Sequence, residues 1–336
     1  MKIMKSFEIS FIFLFLIAVS VCVGAADQAT GKKIVLKTGH VYSTDHPVNK
    51  AFEFFDKRIR ELSGGRISLD IYANSILGGE KDVLEQLMIG EITMDIAPPS
   101  LLSGKYSAAM IEELPFLWGS MDHWCAAREG EYGKAMQKRI YDKEGLIVLA
   151  AWPIGFRHFT NNIRPIVKPE DLKGMKMRSA ESIIRLKMFE VLGANAVAMP
   201  FNELFTALQQ GVIDGQENPL STIDSACLYE VQKYLSLSGH IFTGYDLVMT
   251  KKFWNSLKSE EQQWIIKAIG EATALERKLI LEREDSYLQK LKKFLVVNEV
   301  DRDAFIKAVQ PVYDFYIDKY GNEDMIKMAK DVATKK

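Results

Sequence analysis

Two spacings of apolar positions take turns along the chain. Lys33 to Gly39 reads as a strand, and so does Arg66 to Tyr72, where apolar and polar residues alternate. Between them Phe52, Phe55, Ile59 and Leu62 recur at helical spacing, which predicts a helix from Val48 to Ser63 stopped by Gly64-Gly65. Val83, Leu84, Leu87 and Met88 predict a second helix, Glu80 to Ile89, ended by Gly90 and followed by a strand from Thr93 to Ala97. Leu146 to Ala151 is a continuously apolar strand, and the residues beyond it read as its exit loop. The alternation then resumes. Met175 to Arg178 and Ala196 to Met199 are short strands, Ile183 to Leu192 a helix capped by Ser179, and Phe201 to Gln210 another helix. Gly211 to Gln216 turns into a further strand. From Ser259 to Phe294 the pattern is helical, with a start of the capping-box kind at Ser259 to Gln262. A helix that long suits one lying along two domains. Repeated strand–helix alternation predicts an α/β fold with largely parallel sheets.

The amino end changes the picture. Lys2 and Lys5 precede an apolar run from Phe11 to Val23, and Gly24, Ala25 and Ala26 follow. A basic start, a short apolar core and small residues read as a secretory signal peptide over residues 1–26. The run is shorter than the ~20 residues of a membrane span. Val21 stands before Cys22 where lipidation signals want Gly or Ala, which argues against a lipid anchor. The full chain carries a formal charge of -1. Loss of Lys2, Lys5 and Glu8 leaves the mature chain slightly more acidic, so nothing points to nucleic acid or an anionic membrane as partner. With 48% hydrophobic residues the chain can bury a sizeable core, and its length suits two domains. Two cysteines far apart, Cys125 and Cys227, are no disulfide framework.

The most informative stretches are DLKGMKMR (171–178), LGANAVAMPFNELFTALQQGVIDGQENP (192–219) and YEVQKYL (229–235), with GHVYSTDHP (39–47), SGGRISLDIY (63–72) and LGGEKDVLEQL (77–87) upstream. Together, and in this order, they resemble the DctP-type solute-binding subunits of tripartite, ion-driven TRAP transporters over nearly all of the mature chain. The resemblance implies a two-lobed periplasmic binding protein fold with a hinge cleft and a long helix spanning both lobes. Lobe one would be 32–154 plus 244–283, and lobe two 155–243 plus 284–336. It implies periplasmic localisation, a small organic acid as ligand, membrane permease subunits as partners, and a monomer with no cofactor and no metal. Cys125 and Cys227 would fall in different lobes, where a bridge would restrict closure, so free thiols are expected.

Arg178 ends an alternating strand, where α/β sheets present ligand groups, and a guanidinium grips a carboxylate with two parallel hydrogen bonds. The resemblance makes Arg178 the principal carboxylate anchor; read locally, without the motif, a surface pairing with Glu181 would be the better reading. The resemblance adds Arg157, in WPIGFRHFTN (152–161), as a second carboxylate-facing arginine, against a plain loop cation near Asp171. It also implies Asn218 as an amide donor, against a turn-forming Asn beside Pro219. Glu80 would accept from ligand hydroxyl or amino groups, although a carboxylate at a helix start also serves the helix dipole. Phe201, with Trp152 as a second candidate, would cover the ligand's apolar face; plain core is the alternative. His40, at a strand end, would donate to the ligand, against a structural role. Pro98-Pro99-Ser100 departs from the small or acidic residues of relatives, which weakens transfer of a substrate through that loop.

If Glu80 faces the far end of the cleft, it would repel a second carboxylate and welcome hydroxyls, which favours a uronate or aldonate. A C4-dicarboxylate or an aromatic acid is the alternative within the same system. A binding protein of an ABC importer, a ligand sensor and a secreted α/β hydrolase are the other readings. Against the hydrolase, the chain has no G-x-S-x-G elbow, no H-E-x-x-H and no Gly-rich phosphate loop after the first strand. Its five histidines show no metal-like spacing apart from His40 and His46.

Overall fold

A computed structural model of the protein describes residues 32–332; the expected signal peptide and Cys22 lie outside the described residues. Its strands are β1 (Ile34–Gly39), β2 (Ile67–Tyr72), β3 (Asp95–Ala97), β4 (Leu146–Asn161), β5 (Lys176–Ser179), β6 (Asn195–Ala198), β7 (Gly215–Pro219), β8 (Tyr234–Leu237), β9 (Phe242–Thr250) and β10 (Val296–Glu299). Mixed α/β architecture is therefore present, with helices between most successive strands.

β4 organises the molecule. Its first part, Leu146 to Phe156, pairs antiparallel with β9, and β9 pairs antiparallel with β3. Its last part enters a second group, lying antiparallel between β7 and β8. There β5 runs parallel to both β7 and β6, and β10 runs parallel to β8. β1 and β2 form a parallel pair, and Lys37 of β1 accepts from the backbone of Thr93 and Met94 just before β3. The expectation of largely parallel sheets holds for the strands that helices connect. It fails for β4, which crosses from one group to the other, and for β9; both run against their neighbours.

The exit loop expected after Ala151 is strand. Register shifts between Val148 and Ala150 and between Pro153 and Gly155 let β4 continue past its proline, and Gly155 takes φ of 129°. Other corrections are local. Ser182, not Ser179, caps the helix Ile183–Val191, accepting from Arg185 N at 3.2 Å. The helix expected from Phe201 begins as a 3-10 turn, Phe201–Glu203, before the α-helix Leu204–Gln209.

The helix Pro47–Leu62 buries Phe52, Phe55 and Ile59, as their spacing requires. His46 Nδ1 caps it by accepting from Val48 N at 3.2 Å. The long helix, Ser259–Leu291, has 33 residues and so runs about 50 Å. Glu261 accepts from Lys258 N at 2.8 Å at its start. Its buried side packs on the helix Pro47–Leu62, on β4 and on the helix Leu220–Ser225, so it touches both strand groups. One core gathers Leu36, Phe52, Ile59, Trp152 and Ile265; another gathers Leu204, Leu220, Leu235 and Leu291. A third, around Trp118, Phe159 and Phe189, includes the C-terminal helices. Burial of each such side chain contributes roughly 1.5–3 kcal/mol. Cys125 is buried, Cys227 is partly buried, and both are free.

Candidate functional site

Arg178 sits near the carboxyl end of β5, 3% exposed. Its Nε donates to Met199 O at 3.0 Å, and no carboxylate pairs with it among the described residues. Burial, and then the charge of Arg157, pull its pKa down to about 10, despite the opposing pull of Glu217 and Glu80. The guanidinium opens on a cavity of about 150 Å³. Glu80, Phe201, Tyr245, Glu113 and Arg185 share its wall.

Each wall group is fixed by local chemistry. Glu80 is the first residue of the helix Glu80–Ile89 and accepts a hydrogen bond from the Tyr245 hydroxyl. Gly78 holds φ of 104°, and Asp82 accepts from Gly79 N at 2.8 Å, so the turn before Glu80 is tightly specified. Phe201 is partly buried and packs on the core around Phe52 and on that around Leu204. Arg185 lies in the first turn of the helix Ile183–Val191 and pairs with Glu113 at 2.5 Å. Ser182, at the head of that helix, donates to the other oxygen of Glu113.

Arg157 and Asn218 lie in a buried layer of hydrogen bonds. Arg157 is a strand residue and makes a bidentate pair with Glu217, one arm at 3.0 Å. It also donates to Thr243 Oγ1 at 3.1 Å, to Asn218 Oδ1 at 2.8 Å and to the Glu217 carbonyl. The Asn218 amide donates in turn to Gln216 Oε1. Arg185 stands 3.5 Å from Glu217 and His240 3.3 Å from it. Burial alone would raise the Glu217 carboxyl, but Arg157 and Arg185 hold it well below the usual carboxylate range.

The structure thus brings Arg178, Glu80 and Phe201 to one cavity and sets Arg157 and Asn218 in that hydrogen-bonded layer. Neither Arg157 nor Asn218 lines the cavity, and nor do His40 and Trp152. His40 stacks on Phe52 with ring centres 5.7 Å apart and planes 7° from parallel, and it does not line the cavity. Its position at the end of β1 directs it into the core above the first helix, where burial pulls its pKa down to about 4. Trp152 is also core, packed on Phe52 and donating to Thr273 Oγ1 at 2.8 Å. Arg185, Glu113 and Tyr245 were not singled out from the sequence. The available signal was a charge set in an apolar run, as in Ile183-Ile184-Arg185-Leu186. No group of His, Cys, Asp and Glu suited to a metal occurs among the described residues.

Residues 38–319 match the model of bacterial extracellular solute-binding protein family 7, DctP. The chain belongs to this family. Its DctP-family relatives include the 2,3-diketo-L-gulonate-binding periplasmic protein of Escherichia coli, 31% identical over 88% of this chain and 92% of that protein. A TRAP periplasmic solute-binding protein of Sulfurospirillum deleyianum, solved with bound succinate, matches with a TM-score of 0.85 and 31% identity, covering 90% of this chain and all of that one. A Bordetella TRAP periplasmic solute-binding protein, with pantoate placed in its density, matches with a TM-score of 0.85 and 36% identity over the same shares. These DctP-family proteins are solute-binding proteins of transporters, not enzymes. Their fold is the two-lobed one, and this chain shares it.

Proposed function

We propose that this DctP-family chain is a periplasmic subunit of a TRAP transporter that captures a hydroxylated monocarboxylate, a uronate or aldonate, and delivers it to the membrane permease. The single observation that carries the reading is Arg178, a buried guanidinium that opens on a cavity and has no carboxylate partner among the described residues. Burying a cation without its counter-charge is costly, and a ligand carboxylate removes that cost through two charge-assisted hydrogen bonds. Phe201 offers the ligand an apolar face, and Glu80 offers an acceptor that suits hydroxyls and repels a second anion. Arg157 and Asn218, in this reading, hold β4 and β7 together behind the anchor and donate what hydrogens they have left.

Residues 1–26 would be removed on export, and the mature chain would act as a monomer. Its lobes, 32–154 plus 244–283 and 155–243 plus 284–336, would close on the ligand. The ligands named for relatives include sugar acids and C4-dicarboxylates, so the choice between them rests on the cavity. One observation favours a dicarboxylate: Arg185 brings a second guanidinium to the same wall. A thermal-shift screen across sugar acids, dicarboxylates and aromatic acids decides, because a true ligand stabilises according to its concentration over its dissociation constant. Stabilisation by a uronate or aldonate is expected. Stabilisation by succinate or malate alone would hand the site to the dicarboxylate reading.

A further inference from the structure

Two guanidiniums, Arg178 and Arg185, reach the cavity, and their surroundings differ. Among the described residues Arg178 has only a carbonyl as partner. Arg185 is 4% exposed and has its charge matched from within the protein: Glu113 holds it at 2.5 Å, and Glu217 stands 3.5 Å away. Burial by itself would lower the Arg185 pKa, but these two carboxylates raise it overall. Glu113 is equally buried, lines the cavity, and has its second oxygen fixed by the Ser182 hydroxyl.

The charges of this buried cluster can be paired off. Arg157 is matched by Glu217, Arg185 by Glu113, and Arg178 by nothing among the described residues. Glu80, partly buried on the same wall, is engaged by the Tyr245 hydroxyl and makes no ion pair with Arg178, so Arg178 is the guanidinium left for a ligand carboxylate. A second ligand carboxylate reaching Arg185 would have to displace Glu113, or lie beside it in a space poorly screened by water.

We infer that Glu113 is the residue that sets the number of carboxylates the site accepts: it stands in for a second ligand carboxylate on Arg185 and so limits the cavity to monoacids. This rests on Arg178 being the ligand's anchor. The backbone supports the assignment. Glu113 and its neighbour Glu112 close the short 3-10 segment Ser107–Glu113 and face opposite ways, Glu112 to Trp124 and Arg128 and Glu113 to Ser182 and Arg185. The Glu112 side anchors the segment, which fixes Glu113 where a ligand end would otherwise fit.

The test compares galactonate with galactarate, six-carbon hydroxy acids that differ in carrying a carboxylate at one end or at both. Titration calorimetry on the full mature protein gives the ratio of their affinities. Wild type should favour galactonate at least tenfold. Glu113→Gln frees Arg185, and the ratio should move at least tenfold towards the diacid. Arg185→Gln leaves Glu113 unmatched, and the ratio should move the other way. Opposite shifts distinguish charge matching from a structural role, which would weaken both acids together. Should one variant not fold, the other still reads the ratio. A ratio unchanged within threefold in the variants that fold, or a wild type that prefers galactarate, would overturn the inference and leave Arg178 as anchor. A wild type that binds neither acid, or an Arg178→Lys variant that binds like wild type, would instead overturn the anchor and this inference with it.

Discussion

At the scale of single residues, Arg178 and His40 show how burial acts on a cation and on a base. Arg178 stays charged although burial and Arg157 pull its pKa down to about 10, so a ligand carboxylate meets a guanidinium that water no longer solvates. Lysine at this position would keep the charge and lose the two-pronged geometry. We predict that Arg178→Lys folds normally and loses roughly 2–5 kcal/mol of binding, as for a charge pair broken in a dry interface. Calorimetry within a few-fold of wild type would remove Arg178 from the site. His40 is the opposite case, a ring kept neutral. Its pKa falls from 6.5 to about 4 on folding, chiefly through burial. Unfolding at intermediate pH therefore takes up a proton, and the contribution to stability is complete above pH 6.5 and is lost as pH falls through 6.5 towards 4. His40→Phe removes that titration while keeping a ring against Phe52. Relative to the variant, wild type should lose about 3 kcal/mol between pH 6.5 and 4. Urea denaturation of both proteins at the two pH values checks it; a difference that does not change with pH would mean that His40 is not held neutral.

At the scale of elements, β4 and β9 carry the connection between the two strand groups, and their packing leaves no slack. Gly244 on β9 lies opposite Pro153 of β4, and a Cβ there would overlap the indole of Trp124. That ring cannot yield easily, since its Nε1 donates to Glu112 at 2.6 Å. Gly244→Ala should therefore destabilise the protein by about 1–3 kcal/mol, the usual cost of overpacking, read as a lower urea midpoint. An unchanged midpoint would show that the Trp124 ring can yield at no cost. The same elements mark where local reading of the sequence stops. Helical spacing of Phe52, Phe55 and Ile59 and the apolar alternation around Ile67 are local signals, and both became the expected elements. β4 was legible only to Ala151, because Pro153 and Gly155 are the residues that usually end a strand, and the bulges that accommodate them depend on β9. The site divides likewise. Arg178 could be found because it ends a strand inside a specific motif. Glu113 and Arg185 could not, because their meaning lies in a pairing across 72 positions of chain that no periodicity records.

At the scale of the whole molecule, the contacts around the cavity join segments that the proposed lobes keep apart. Glu113 holds Ser182 and Arg185 across the boundary. Gly79, beside Glu80, lies so near the Met199–Asn202 turn that a Cβ on it would stand 3.6 Å from Asn202 Oδ1 and 3.9 Å from Pro200 Cβ. With these contacts made and a cavity of only about 150 Å³ between them, the two sides stand close together, as a closed form would have them. Entry requires those contacts to part, and only β4, β9, the long helix and the chain's last segment need bend. β4 passes from one group to the other just beyond Pro153–Gly155, beside Phe242–Gly244 of β9, where the register is already irregular, which suits a hinge absorbing small backbone changes. Opening exposes Arg178 and the Glu113–Arg185 pair to water, and closing buries them again. The closed form is favoured when a ligand carboxylate satisfies Arg178, so ligand should shift the population towards it. We predict that the radius of gyration in solution falls when galactonate or another stabilising acid saturates the protein, and that the bound scattering curve fits the described residues better than the free one does. Arg178→Lys should lose this contraction at the same acid concentration. A curve unmoved by saturating ligand would mean that the lobes do not hinge, or that the free protein is closed already. Glu113→Gln separates those two, because weakening the pair that spans the cleft enlarges a protein already closed and leaves a rigid one unchanged.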